Sequence, residues 1–255
     1  MARARTSSIK NAHPRSRAKR FLVFQHSPWE EPGRFLVRSA MAHGIRLDIV
    51  ELWQQPIPDI SPYYGLIVLG GSMNVDQDKQ YPFLKAEKET IHRVIEKDMP
   101  YLGFCLGHQL LAEALGCSVR PNHCISVGLI QGKVTHQGRV HALFKDMPTT
   151  FTLFKWHSQA VIPPLPKQVN PLVTSKDCQI EAISVEGRPH FIGLQFDNHA
   201  AASLNVRQWI NSDLAWLARA SHLNGSVLLS AVQRLEGILG SQFEIMFSNY
   251  LKLAL

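Results

Sequence analysis

From Phe21 onward, short apolar runs alternate with stretches of helical periodicity. Phe21-Leu22-Val23-Phe24 predicts a buried strand, and Gln25 to Gly33 a turn-rich loop. A helix ending near His43 follows, and alternation at period two from Ile45 to Val50 predicts a second strand. Leu66-Ile67-Val68-Leu69 predicts a third strand, buried on both faces and stopped at Gly70-Gly71. Phe83, Leu84, Ile91, Val94 and Ile95 stripe a charged helix, and Pro100 to Phe104 returns as a strand. The order strand–helix–strand–strand–helix–strand implies a mostly parallel sheet covered on both faces.

Beyond Gly116 the pattern changes to short strands, around Val127–Val134, Phe151–Phe154, Leu172–Thr174, Ile180–Val185 and Phe191–Phe196. With Gly132, Gly138 and Gly187 among them, they predict antiparallel pairs within the same domain. A helix from about Ala201 to Ala220 carries Leu204, Trp209, Leu214 and Leu217. An apolar-striped segment from about Val227 predicts a C-terminal helical extension over about 221–255. No repeat or interior linker interrupts the chain, so 21–255 reads as a single three-layer α/β domain.

The composition, 45% hydrophobic and 18% charged, suits a globular protein and excludes wholesale disorder. No apolar run approaches the ~18 residues of a membrane span, and the N-terminus has no secretory signal core. The charge is more informative. The net +7 sits entirely in residues 1–20, which hold seven bases and no acid. Those residues predict a disordered basic tail, with an organelle transit peptide as the alternative. The remainder is neutral, so the body is not expected to bind nucleic acid or membrane. Cys105, Cys117, Cys124 and Cys178 form no CxxC pair and read as reduced thiols in a cytoplasmic setting.

The sharpest local signal is Gly103-Phe104-Cys105-Leu106-Gly107-His108-Gln109. A strand ends, a cysteine stands between two glycines, and a helix begins. That is the logic of a nucleophile elbow, in which a sharp turn lifts the side chain clear of the sheet. The helix N-terminus favours a thiolate, and the Leu106 N–H can donate to an oxyanion. Gly70-Gly71, bare backbone after a buried strand, is a candidate second donor. His136, His141 and His190 lack ligand spacing, and no Walker, zinc or GxGxxG pattern occurs. No cofactor or metal is expected.

Together Leu69-Gly70-Gly71-Ser72-Met73, the Cys105 segment through Ala112, and Gly193-Leu194-Gln195-Phe196 resemble the class I glutamine amidotransferase domain. The likeness is greatest to stand-alone proteins similar to the glutaminase domain of GMP synthase, and Phe24-Gln25-His26, Pro32-Gly33 and Trp156-His157-Ser158 extend it. It spans roughly residues 21 to 210. The resemblance implies hydrolysis of the glutamine side-chain amide through a γ-glutamyl thioester, with glutamate and ammonia as products. By position, Cys105 would be the nucleophile, Gly71 and Leu106 the oxyanion hole, and Gly70, Gln109, His157, Ser158 and Gln159 the glutamine contacts. No fused synthase domain is expected in the sequence, so the ammonia acceptor would bind a synthase partner or this chain's own divergent C-terminus.

One segment departs from the family. Where its members read Gln-Phe-His-Pro-Glu, this chain reads Gln195-Phe196-Asp197-Asn198-His199. Imidazole is the natural base for a thiol near neutral pH, and here Asp197 stands in its place. Three readings follow: His199 reaches Cys105 with Asp197 orienting it; the dyad is lost, leaving a pseudoenzyme or glutamine-binding module; or His26 or His157 serves instead. A γ-glutamyl amide or peptide hydrolase on the same fold is a further alternative.

Overall fold

The computed structural model describes residues 19–220 and 224–255. Residues 1–18 of the expected tail lie outside the described residues. Lys19 and Arg20, expected in that tail, instead open the first strand, β1 (Lys19–Gln25). The reason is a partner: Arg20 Nε donates to Asp48 at 2.7 Å, and the guanidinium lies over the Tyr63 ring.

The other strands are β2 (Ile45–Glu51), β3 (Gly65–Val68), β4 (Tyr101–Phe104), β5 (Ser118–Val134), β6 (Thr150–Ile162), β7 (Val169–Ser175), β8 (Ala182–Val185) and β9 (Arg188–Leu194). They join in one sheet of order β2-β1-β3-β4-β9-β8-β7-β5-β6. The half from β2 to β9 is parallel, and the half from β9 to β6 is antiparallel. The parallel half carries the expected crossovers, and the change of pattern after Gly116 marks the start of the antiparallel half. β5 and β6 are far longer than their apolar cores. They run past Val127 and Phe154 as a paired ribbon with a register irregularity between Pro121 and Ser126.

The helices are α1 (Arg34–Ala42), α2 (Phe83–Glu96), α3 (Leu106–Ala114), α4 (His136–Val140), α5 (Ser203–Ser212), α6 (Leu214–Leu217) and α7 (Gly225–Ala254). Alternation along each parallel strand sorts side chains between two cores. Phe21, Val23, Ile67, Leu102 and Phe104 face α1, α5 and α7; Leu22, Phe24, Leu66, Val68 and Tyr101 face α2 and α3. The C-terminal segment is therefore part of the core: α7 buries Phe243, Met246, Phe247 and Tyr250 against the sheet. No described helix is long and apolar enough to cross a membrane.

Candidate active site

β4 and α3 meet at Cys105, whose backbone (φ 45, ψ −102) is left-handed and strained for a residue with a side chain. Its glycines are sterically required. A Cβ on Gly103 would strike the Gly107 backbone, and one on Gly107 would strike the Val68 carbonyl. The turn is pinned on both sides, by Cys105 N–H to Leu194 O at 2.8 Å and Gly107 N–H to Leu69 O at 3.2 Å. Cys105 thus stands at the carboxyl end of a central parallel strand, with its sulfur 4.0 Å from the Trp156 carbonyl.

Gly71 lines the same cavity as Cys105. The Leu106 side chain and the His26 Cβ crowd Gly71, so a Cβ there would force Leu106 aside. The glycine loop is held from below. His26 Nδ1 bonds the Gly70 carbonyl at 2.7 Å, and Nε2 meets Glu87 of α2 at 2.9 Å. Both side chains are wholly buried. Burial opposes a charge on His26, but the Glu87 carboxylate outweighs it and raises the imidazole pKa. His26, a substitute base on the sequence alone, is thereby committed to the loop.

The groups beside the sulfur are carboxylates. Burial, then Asp197, then Glu30 push the Cys105 thiol well above its ordinary range, while Lys155 and the Leu106 N–H pull the other way. Asp197 Oδ1, Cys105 Cβ and Glu30 Oε1 all lie within 3.7 Å of one point beside Gly70. Asp197 is 1% exposed, neither oxygen has a hydrogen-bond partner, and burial plus Glu30 push it well upward. Glu30 accepts from Ser27 Oγ at 2.6 Å, and burial pushes it up to about 7. Lys155, wholly buried, is ion-paired to Glu181.

His199 lies elsewhere. Its ring stacks on Phe104 at 4.1 Å between centroids, and burial lowers it to about 3. The Phe104 side chain belongs to the α7 face of the sheet, whereas the cavity at Cys105 has no His199 in its lining. The expected pairing of His199 with Cys105 is therefore not formed, and Asp197 does not orient the imidazole. The turn Asn198–Ala200 spends its buried surface on the apolar core. Asn198 ties the same turn to β6, with its Oδ1 accepting from Phe154 N–H at 2.7 Å.

Gln109, His157, Ser158 and Gln159 do gather in the cavity. Gln109 Nε2 donates to the Gln159 carbonyl and to Gln195 Oε1, each at 3.1 Å. His157 Nδ1 bonds the Gln159 carbonyl at 2.8 Å, and burial with Lys155 drives its pKa well down, which makes it a poor base. His157, Cys178 and Glu181 offer donor atoms within 4.8 Å of one another, but the Lys155 ammonium already occupies Glu181, so a metal ion would meet a buried cation. Glu30, Trp29, Asp213 and Trp216 also line the cavity. Sequence reasoning missed these four, because they come from the loop after β1, the α5–α6 break at Asp213 and the short α6, where no spacing signals chemistry.

A family profile described as Glutamine amidotransferase class-I matches residues 33–201. The A subunit of the glutamine-hydrolyzing GMP synthase from Methanothermobacter thermautotrophicus is 28% identical over 132 residues, 52% of this chain and 63% of that one. The corresponding protein from Methanocaldococcus jannaschii is 30% identical over 137 residues, covering 54% and 65%. The matched stretch thus spans less than two thirds of either relative. Among solved structures, a glutamine amidotransferase from Thermotoga maritima superposes with a TM-score of 0.81 at 24% identity, over 92% of this chain and 98% of that one. One from Methylobacillus flagellatus gives 0.79 at 21% identity, over 93% and 96%.

Proposed function

Because the chain belongs to the class I glutamine amidotransferase family, we propose that it hydrolyses a glutamine-type side-chain amide with Cys105 as nucleophile. The observation that carries this is the strained elbow cysteine facing Gly71 in a cavity that also holds Gln109 and Glu30. In this reading the backbone N–H groups of Gly71 and Leu106 hold the oxyanion. Gln109 and the His157–Gln159 stretch hold the amino-acid end.

The proton work falls to carboxyl groups. Two neighbouring buried carboxyls resist ionising together, and burial raises both, so Asp197 and Glu30 hold at least one proton between them near neutral pH. Such a pair can accept the thiol proton and give one to the leaving nitrogen. Because the resting thiol is held neutral, attack must be coupled to that transfer, and turnover is slow in the isolated chain. A synthase partner accepting the ammonia fits this role.

The unpartnered Asp197 and the raised thiol favour one other reading, a glutamine-binding module without turnover. A glutaminase assay of wild type against Cys105→Ser separates the two. Ammonia release abolished by the substitution supports the hydrolase. Glutamine binding with equal background rates in both proteins supports the module.

A further inference from the structure

Two chemically different sets of side chains line the cavity at Cys105. One comprises Gln109 and Gln159, amides suited to an amino-acid head group. The other comprises Trp29, Trp156 and Trp216 together with the carboxyls of Glu30 and Asp213. Trp156 and Trp216 stack at 5.7 Å between centroids. Trp156 Nε1 donates to Asp213 Oδ2 at 3.0 Å, which fixes the carboxylate against the indole wall. Among the described residues no lysine or arginine lines this cavity. Asp197 does not line the cavity, but it is nearly fully buried with neither oxygen partnered and lies beside Glu30. Indole faces and carboxyl groups in a lining without a lysine or arginine together attract a positively charged organic group.

Mechanism places that group on the substrate. The carboxyl that protonates a departing nitrogen must lie beside it. On the proposed reading that carboxyl is Glu30, which lines the cavity next to Trp29, so the leaving amine departs toward the tryptophans. The geometry points to a substrate whose leaving amine bears a second, cationic nitrogen: a γ-glutamyl amide of a diamine or polyamine. The Cys105 sulfur bonds the γ-carbonyl carbon, the C–N bond breaks, and the amine leaves with the thiol proton relayed through the carboxyls. Water then adds to the thioester carbonyl, a proton returns to sulfur, and glutamate is released.

This inference rests on the hydrolase reading, and the test separates the two. The γ-glutamyl amides of 1,4-diaminobutane and of n-butylamine differ only in the distal ammonium. Both are assayed with wild-type full chain and with Asp213→Asn, which can still accept the Trp156 N–H. Binding of both to Cys105→Ser is read in parallel by tryptophan fluorescence. The expected result is at least about tenfold preference for the aminobutyl amide, in kcat/KM and in affinity, falling toward parity in Asp213→Asn. Equal handling of the two amides by the wild-type and Cys105→Ser chains overturns the inference. So does an equal loss on both amides in Asp213→Asn, since the cation recognised would then be the α-ammonium they share. Preferential binding by Cys105→Ser with no turnover by wild type sinks the hydrolase reading and keeps the cation site.

Discussion

At Cys105 the chain supplies an activated geometry and a discouraging electrostatic field at once. The elbow, the glycine donors and the helix N-terminus favour a nucleophile, whereas burial, then Asp197 and Glu30, raise the thiol. Replacing Asp197 removes the larger of the two carboxylate contributions. Asp197→His puts an imidazole beside the sulfur, and alkylation of Cys105 by iodoacetamide at pH 7 is expected to speed up several-fold; no change would mean that Asp197 does not govern the thiol. Glu30 makes a prediction with a definite sign. Its pKa rises from 4.5 to about 7 on folding. The folded chain therefore holds a proton between those values that the unfolded chain has released, so stability falls as pH rises through this window. Glu30→Gln should remove that loss, on the order of 3 kcal/mol above pH 7, measurable by urea unfolding at pH 5 and pH 8. It should also lower kcat/KM by about 10²–10⁴. A variant no more stable than wild type at pH 8 would show that Glu30 is not buried as a charge. The cysteine is readable from its glycines, but its carboxylate neighbours are not. Nothing in the Ser27-Pro28-Trp29-Glu30 loop signals chemistry, and only the fold brings Glu30 beside Gly70.

At the scale of elements, the site depends on two close approaches. α3 can start directly beneath β3 only because Gly107 lacks a Cβ, so Gly107→Ala should cost roughly 1–3 kcal/mol by overpacking. Equilibrium unfolding measures it, and an unchanged midpoint would mean the elbow has room to spare. The glycine loop depends on His26. Removing its bond to the Gly70 carbonyl in His26→Ala should lower kcat more than it raises KM, because the oxyanion donor is needed most in the transition state. An effect confined to KM would contradict that role. The helix expected over Ala201–Ala220 is broken at Asp213, between α5 and α6. Its apolar spacing runs through the break, so periodicity alone joins the two pieces. The break matters, since it turns Asp213 and Trp216 toward the cavity. The length of the β5–β6 ribbon is equally hidden in the sequence, because the outer part of β5 is polar and half-buried, with little apolar signal.

For the whole molecule, the layered fold is legible because each parallel strand is a short, continuous apolar run between helical patterns. The placement of His199 is not, because its stacking on Phe104 depends on how α7 closes the opposite face. The charge divides between tail and body. Five of the chain's bases precede residue 19, while Arg20 is anchored to Asp48. Deleting residues 1–18 should leave the unfolding midpoint unchanged and weaken adsorption to anionic surfaces at low salt. A lowered midpoint would show that the tail packs on the body.

Everything proposed for the site turns on a covalent γ-glutamyl thioester at Cys105, and hydroxylamine tests it most directly by intercepting that intermediate even where it does not accumulate. With glutamine and hydroxylamine, the wild-type chain is predicted to form γ-glutamyl hydroxamate, and Cys105→Ser to form none. Ammonia release without hydroxamate, or hydroxamate formed equally well by the serine variant, would contradict a thioester at this cysteine.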